Sequence, residues 1–234
     1  KARGLAFMNS MILKHRLYDK HANVRIMIPR SVVIATDYFD DFIRLNGLKY
    51  IISQEFSDEE ILSEFVSSTV PARLQQELKA YIQTVRTPLA VRSSSKLEDS
   101  HYQPFAGIYS TYMIPYVDNG DQMLRLLLKA VKSVYASVYF ATSRAYLSSS
   151  QNLISEEKMA VIIQEVCGTE QDGLFFPTFS GVARSINYYP IGDEAPADGV
   201  CNIAMGLGKL VVDGGRTLRF SPRYPQKVLQ TSTP

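Results

Sequence analysis

The stretch Pro88-Leu-Ala-Val-Arg-Ser-Ser-Ser-Lys-Leu-Glu-Asp-Ser-His-Tyr-Gln-Pro-Phe-Ala-Gly-Ile-Tyr-Ser-Thr-Tyr-Met113 decides how this chain is read. Leu89 to Val91 is a short apolar run entered from a proline, the pattern of a buried strand. Arg92 ends it, ahead of the turn-forming Ser93, Ser94 and Ser95, and a guanidinium at a strand end can fork onto phosphate oxygens. Beyond the acidic pair Glu98 and Asp99, Phe105-Ala106-Gly107 leads into Ile108 to Met113, which alternates in strand fashion and carries the hydroxyls of Ser110 and Thr111. Gly107 has no side chain to keep a ligand off the backbone. Arginine, hydroxyls and backbone amides together suit a polyanion. They equally suit a surface arginine, a serine-rich turn and an ordinary hairpin, and composition does not separate the two.

The order of these residues adds what composition lacks. Val91-Arg92-Ser93-Ser94, then Glu98-Asp99, then Phe105-Ala106-Gly107 resembles the amino-terminal nucleotide-binding domain of the phosphoenolpyruvate synthase and pyruvate phosphate dikinase family. The resemblance implies an ATP-grasp-like α/β (α+β) fold of two lobes, with mixed sheets flanked by helices, that takes ATP and Mg2+. It implies that Arg92 is the catalytic and phosphate-binding arginine, and that Gly107, Ser110 and Thr111 cradle phosphate oxygens. In the family the positions of Glu98 and Asp99 shape the loop after the arginine; as bare carboxylates they are also open to reading as metal ligands.

With 234 residues, 46% of them apolar and 21% charged, the chain can bury a substantial core as one large domain or two lobes. A formal net charge of +2, with acids and bases interspersed, implies neither a nucleic-acid nor a membrane partner, so a phosphate site has to be local. No apolar run approaches the roughly 20 residues of a membrane span, and the opening residues lack a secretory pattern. Cys167 and Cys201 are too few for a disulfide scaffold or a zinc site, and a cytoplasmic setting is expected.

Leu5, Met8, Ile12 and His15 fall at helical spacing and predict an amphipathic helix from Lys1 to about Tyr18. Lys1-Ala2-Arg3-Gly4-Leu5 resembles the remainder of the family's Gly-Gly-Lys-Ala-like element, as if the chain were cut at its front edge; Lys1 would then reach the ATP phosphates, a solvated lysine being the alternative. Ser31 to Thr36 predicts a buried strand, with Asp37 capping a helix from Tyr38 to Asn46 that stops at Gly47. Ser57-Asp58-Glu59-Glu60 is a capping sequence, and Pro71 opens a helix with Leu74, Leu78, Tyr81, Ile82 and Val85 on one face.

Asn119-Gly120-Asp121 starts one long helix running to about Leu147. Within it Tyr135, Tyr139 and Arg144 resemble family positions, although an aromatic stripe at this spacing is a core signature. After a polar linker from Ser148 to Glu157, Met159 to Val166 is the most apolar run and predicts a central strand of a parallel or mixed sheet. By the resemblance, Gln164, Glu165 and Val166 form the hinge whose main chain reads the adenine edge. A strand leaving the core at Gln164 is the other reading.

Phe179-Ser-Gly-Val-Ala-Arg-Ser resembles the family's Ser/Thr-Gly-Val strand and makes Arg184 a second phosphate contact. Many relatives continue into an Asp-Pro or Asn-Pro turn where this chain has Asn187-Tyr188-Tyr189-Pro190. Gly206-Leu207-Gly208-Lys209 is no P-loop, because Leu210 replaces Ser or Thr, and no dinucleotide fingerprint, because Val211 stands where glycine is needed. It resembles a Gly-Leu-Gly-Glu element with Lys209 replacing the acid.

The expected organisation is a first lobe over 1–115 with the phosphate loop, a second over 116–220 with the hinge strand, and a linker or start of an insertion over 221–234. No metal-ligand set is legible, and the resemblance puts the metal-binding residues beyond Pro234. None of His15, His21 or His101 resembles the family's phosphorylated histidine. The implied activity is phosphate transfer from ATP to a histidine on a swivelling domain and then to pyruvate. Because the phosphohistidine and pyruvate-binding domains are missing from these residues, they are expected to bind ATP without completing the reaction. The same fold serving a glucan or antibiotic acceptor, and a catalytically inactive nucleotide-binding module, are the alternatives.

Overall fold

A computed structural model of the chain describes residues 1–52, 54–95, 98, 109–149, 157–212 and 214–228. They fall into two compact units, Lys1–Val166 and Cys167–Pro234. The first runs α1 (Ala2–Lys14), β1 (Ser31–Ile34), α2 (Thr36–Leu45), α3 (Asp58–Ser67), α4 (Ala72–Ile82), β2 (Leu89–Ser95), β3 (Thr111–Ile114), α5 (Gly120–Ala136), α6 (Ala141–Ser149) and β4 (Met159–Glu165). The second runs β5 (Thr169–Gln171), β6 (Leu174–Phe176), β7 (Phe179–Arg184), β8 (Val200–Met205), α7 (Lys209–Val212) and β9 (Leu218–Phe220). The architecture is mixed α/β. Among the described residues no helix is long and apolar enough to cross a membrane.

In the first unit the sheet order is β1-β4-β2-β3, and every pair is antiparallel. Strand β4 is central, as its composition predicts, but it is not in a parallel or mixed sheet. Its side chains are buried on both faces, with Val161, Ile162 and Ile163 fully enclosed, and that burial rather than strand direction sets an apolar run. Strand β4 lies between β1 and β2, and the first compact unit ends just after it, at Val166.

One face of this sheet is the core. Leu89, Val91, Val161 and Ile163 point into it, and α2 and α5 supply Phe39, Phe42, Leu127, Val131 and Tyr135. Each large apolar side chain buried there contributes about 1.5–3 kcal/mol. Tyr135 meets the Phe39 ring edge-on at 5.0 Å and the Phe42 ring at 5.5 Å, while Phe65 packs on Phe42 and Tyr139. Tyr135 and Tyr139 are thus core residues, and burial raises both phenol pKa values. The Arg144 guanidinium donates to the Phe56 carbonyl at 2.9 Å, tying α6 to the segment before α3.

Several helix ends differ from the sequence expectation. The Ser57 capping box is complete, with the Glu60 amide donating to Ser57 Oγ and the Ser57 amide to the Glu60 carboxylate. Helix α2, however, is capped at Ala35 and carries Asp37 in its first turn, where a carboxylate still favours the positive end of the dipole. The long helix expected from Asn119 to Leu147 is broken. Asn119 caps α5 as expected, but a 3-10 turn at Ser137–Tyr139 and extended Phe140 separate α5 from α6. Ser137 Oγ donates to the Val134 carbonyl and Ser143 Oγ to the Ser137 carbonyl, so local hydroxyls take over helix acceptors at the break.

In the second unit Asp172 and Gly173, both at positive φ, turn the β5–β6 hairpin. Strands β7, β8 and β9 form a separate three-stranded antiparallel sheet. Gly181 lets β7 close on β8, since a Cβ there would lie 2.7 Å from the Asn202 carbonyl oxygen. The β7–β8 connection is clamped by buried polar groups: Arg219 donates to both Glu194 oxygens, at 3.2 and 2.9 Å, and Asn187 Nδ2 donates to Glu194 Oε2 at 2.8 Å. The Arg219 hydrogen bonds hold the Glu194 carboxyl down at about 2.

Candidate functional site

Strand β2 does not end at Arg92 as expected: Ser93 to Ser95 continue the ladder on β4 instead of turning, so Arg92 lies mid-strand, and the alternation sends Leu89, Val91, Ser93 and Ser95 into the core and leaves Ala90, Arg92 and Ser94 on the other face, half-exposed. Antiparallel register extends that face across the sheet. Arg92 lies opposite Thr111 on β3 and Ile162 on β4; Ala90 lies opposite Met113 and Gln164; Gln164 lies opposite Ser31 on β1. Arg92, Thr111 and Gln164 therefore share one surface, although 53 residues separate Thr111 from Gln164 in the chain. Arg92 Nη1 donates to Gln164 Oε1 at 3.2 Å. Among the described residues no carboxylate pairs with this guanidinium.

Lys1 sits at the far end of β2. Its ammonium donates to Glu98 Oε1 at 2.5 Å and to Ser93 Oγ at 3.4 Å. Ser93 Oγ donates to the same Glu98 oxygen at 2.9 Å and the Ser95 amide to the other at 3.2 Å, while Ser94 Oγ accepts the Ala2 amide at 3.3 Å. The Glu98 side chain is only 1% exposed. It joins the end of β2 to Lys1, at the start of α1. Among the described residues no three His, Cys, Asp or Glu side chains are grouped to hold a metal ion.

The remaining expected residues are spread more widely. Gly107, with Asp99 and His101, lies outside the described residues. The Ser110 amide donates to Ser137 Oγ at 3.4 Å, which ties the entrance of β3 to the break between α5 and α6. At the hinge, the Glu165 amide donates to the Arg30 carbonyl and the Val166 amide to the Pro88 carbonyl, both at 2.9 Å. Both donors are committed within the first unit. The Glu165 carboxylate turns away from Arg92 and pairs with Arg30 at 2.6 Å, with Thr87 Oγ1 donating at 3.4 Å. Burial, and after it that charge, pushes the neighbouring Tyr81 hydroxyl up to about 12. Val166 is also where the chain passes into the second unit. Arg184 is exposed at the end of β7, opposite Val200.

Sequence reasoning missed two parts of this arrangement. The Gln164 side chain on Arg92 was hidden because the pairing of β4 with β2 is a long-range choice. Glu157, read as the end of a linker, is buried and accepts from the Tyr109 hydroxyl at 3.2 Å.

The first unit is thus a mixed α/β unit with Arg92, among the described residues, on a sheet face beside a neutral amide rather than a carboxylate, a guanidinium chemically suited to anions. Comparison with known proteins places it within a family. Residues 1–228 match the family described as "Pyruvate phosphate dikinase, AMP/ATP-binding domain", and the chain belongs to that family. It is 28% identical over 193 residues to the uncharacterized phosphotransferase YvkC of Bacillus subtilis, covering 81% of this chain and 20% of that protein. It is 26% identical over 214 residues to a probable phosphoenolpyruvate synthase of Staphylothermus marinus, with 81% and 23% covered. A phosphoenolpyruvate synthase of Aeropyrum pernix is 24% identical over 210 residues, with 81% and 24% covered. The chain thus spans about a fifth to a quarter of the length of these curated relatives.

Proposed function

We propose that this chain is the nucleotide-binding part of a dikinase that moves phosphate from ATP to a histidine on another domain and from there to pyruvate. Membership of the AMP/ATP-binding domain family supports the nucleotide. The relatives' names support phosphotransfer, and their greater length supports further domains carrying the histidine and the pyruvate site. In this reading the fold is ATP-grasp-like.

The observation that carries the reading is the Arg92 guanidinium, set on an open sheet face with only the neutral Gln164 amide as its partner among the described residues. Unneutralised, it retains its full charge for a phosphate oxygen and keeps donors free for a forked contact. Thr111, directly across the ladder, adds a hydroxyl on the same face. On the family resemblance, Lys1, Gly107, Ser110 and Arg184 are further candidates for phosphate and the main chain of 164–166 for the purine. Mg2+ accompanies the ATP phosphates as their counter-ion, and no step is assigned to it.

Calorimetric titration with magnesium-ATP tests the reading. The wild-type chain binds, and Arg92→Ala weakens binding by about tenfold or more, the scale of a charge-assisted contact to phosphate. Equal affinities for the two proteins would remove Arg92 from the site and the reading with it.

A further inference from the structure

We infer that the Gln164 side chain is a positioning residue that aims the Arg92 guanidinium at phosphate, separately from any part its main chain plays at the purine. The inference rests on the reading of Arg92 as the phosphate contact. The ladder sets Ala90 opposite Gln164 and Ile162 opposite Arg92, so Arg92 and Gln164 are diagonal neighbours on one face, within reach of long side chains. Gln164 Oε1 accepts from Arg92 Nη1 at 3.2 Å. Between them on the face, Ala90 is too small to obstruct the approach, and Ile162, directly opposite Arg92 in the ladder, is fully buried. A neutral acceptor takes one of the five guanidinium N–H groups, restricts the rotamers, and leaves both the charge and the other donors for a ligand. A carboxylate at this position would hold the arginine equally well and cancel its charge.

The test is a double-mutant cycle read with two ligands, magnesium-ATP and inorganic tripolyphosphate, which has no base. Gln164→Met, close in volume but without an acceptor, is expected to weaken both ligands by the same factor of about tenfold, and to cost nothing further in an Arg92→Ala background. Gln164→Asn, one methylene too short to reach Nη1, provides the same comparison should the methionine variant fail to fold, which circular dichroism reports. A loss confined to ATP would show that Gln164 acts on the purine and overturn the inference, as would full additivity with Arg92→Ala. If Arg92→Ala itself leaves tripolyphosphate binding unchanged, or the wild type binds neither ligand, the phosphate reading of Arg92 fails and the inference falls with it. If Arg92→Ala weakens binding while both Gln164 variants bind as the wild type does, only the inference fails.

Discussion

In the sheet of the first unit, Leu89, Val91, Val161 and Ile163 are fully buried against α2 and α5, whereas in the sheet of the second Phe179 is 64% exposed and Met205 82%. The first sheet packs most of its apolar side chains on one face, while the other carries Arg92, Thr111, Gln164 and Ser31 around the buried Ile162. The second has no comparable apolar layer of its own. Its order comes from ladder hydrogen bonds, tight glycine contacts and the Arg219–Glu194–Asn187 clamp. Functional polar groups can sit on a strand when the opposite face already supplies the stability; where it does not, polar groups are recruited to hold the backbone.

The contrast is sharpest for core truncation. Phe42→Ala, which empties the space between Phe65 and Tyr135, is expected to lower the unfolding free energy by about 3–5 kcal/mol in chemical denaturation. Should it cost under 1 kcal/mol, burial is not what holds the first sheet.

Acid provides the next largest separation. Glu194 is held from its ordinary 4.5 down to about 2 chiefly by the Arg219 hydrogen bonds, so its contribution is fully present above about 4.5 and is lost as pH falls toward 2. Melting series between pH 5 and pH 2 are expected to show that loss, and Glu194→Gln to flatten it. An unchanged slope in the variant would remove the clamp from the account.

A smaller effect belongs to the Ser57 cap. Ser57→Ala removes the acceptor of the Glu60 amide at the start of α3 and is expected to cost about 1 kcal/mol of stability by the same denaturation measurement. Smallest of all, Phe179→Ser on the exposed face of β7 is expected to change stability by less than about 0.5 kcal/mol. A cost approaching that of Phe42→Ala would mean that the second sheet is covered after all, and the distinction between the two sheets would collapse.

Local features were legible in the sequence where neighbours along the chain settle them. Ser57 and Glu60 form the reciprocal cap that their spacing predicts, Asn119 caps α5, and Gly47, at φ 63°, follows the end of α2. Residue order around Arg92 carries the resemblance to the family that the whole chain matches. Apolar periodicity, by contrast, ran unbroken across Ser137 and Phe140 and concealed the break between α5 and α6, because hydroxyl capture of helix carbonyls leaves no trace in hydrophobic spacing. The capping role expected of Asp37 fell to Ala35 for a related reason: the helix start shifted by two residues, and a carboxylate in the first turn is favourable in either register.

The sequence by itself determined the apolar run from Met159 to Val166 as a central strand and Leu89 to Val91 as a buried one, because apolar runs are local properties, but not that β2 continues through Ser95 with Arg92 inside it. Tertiary structure decided which strands flank β4 and in what direction, and so brought Gln164 onto Arg92, sent Glu165 to Arg30, and used the amides of Glu165 and Val166 within the first unit. Such pairings follow from how whole apolar faces fit together, and no short stretch of sequence carries that information.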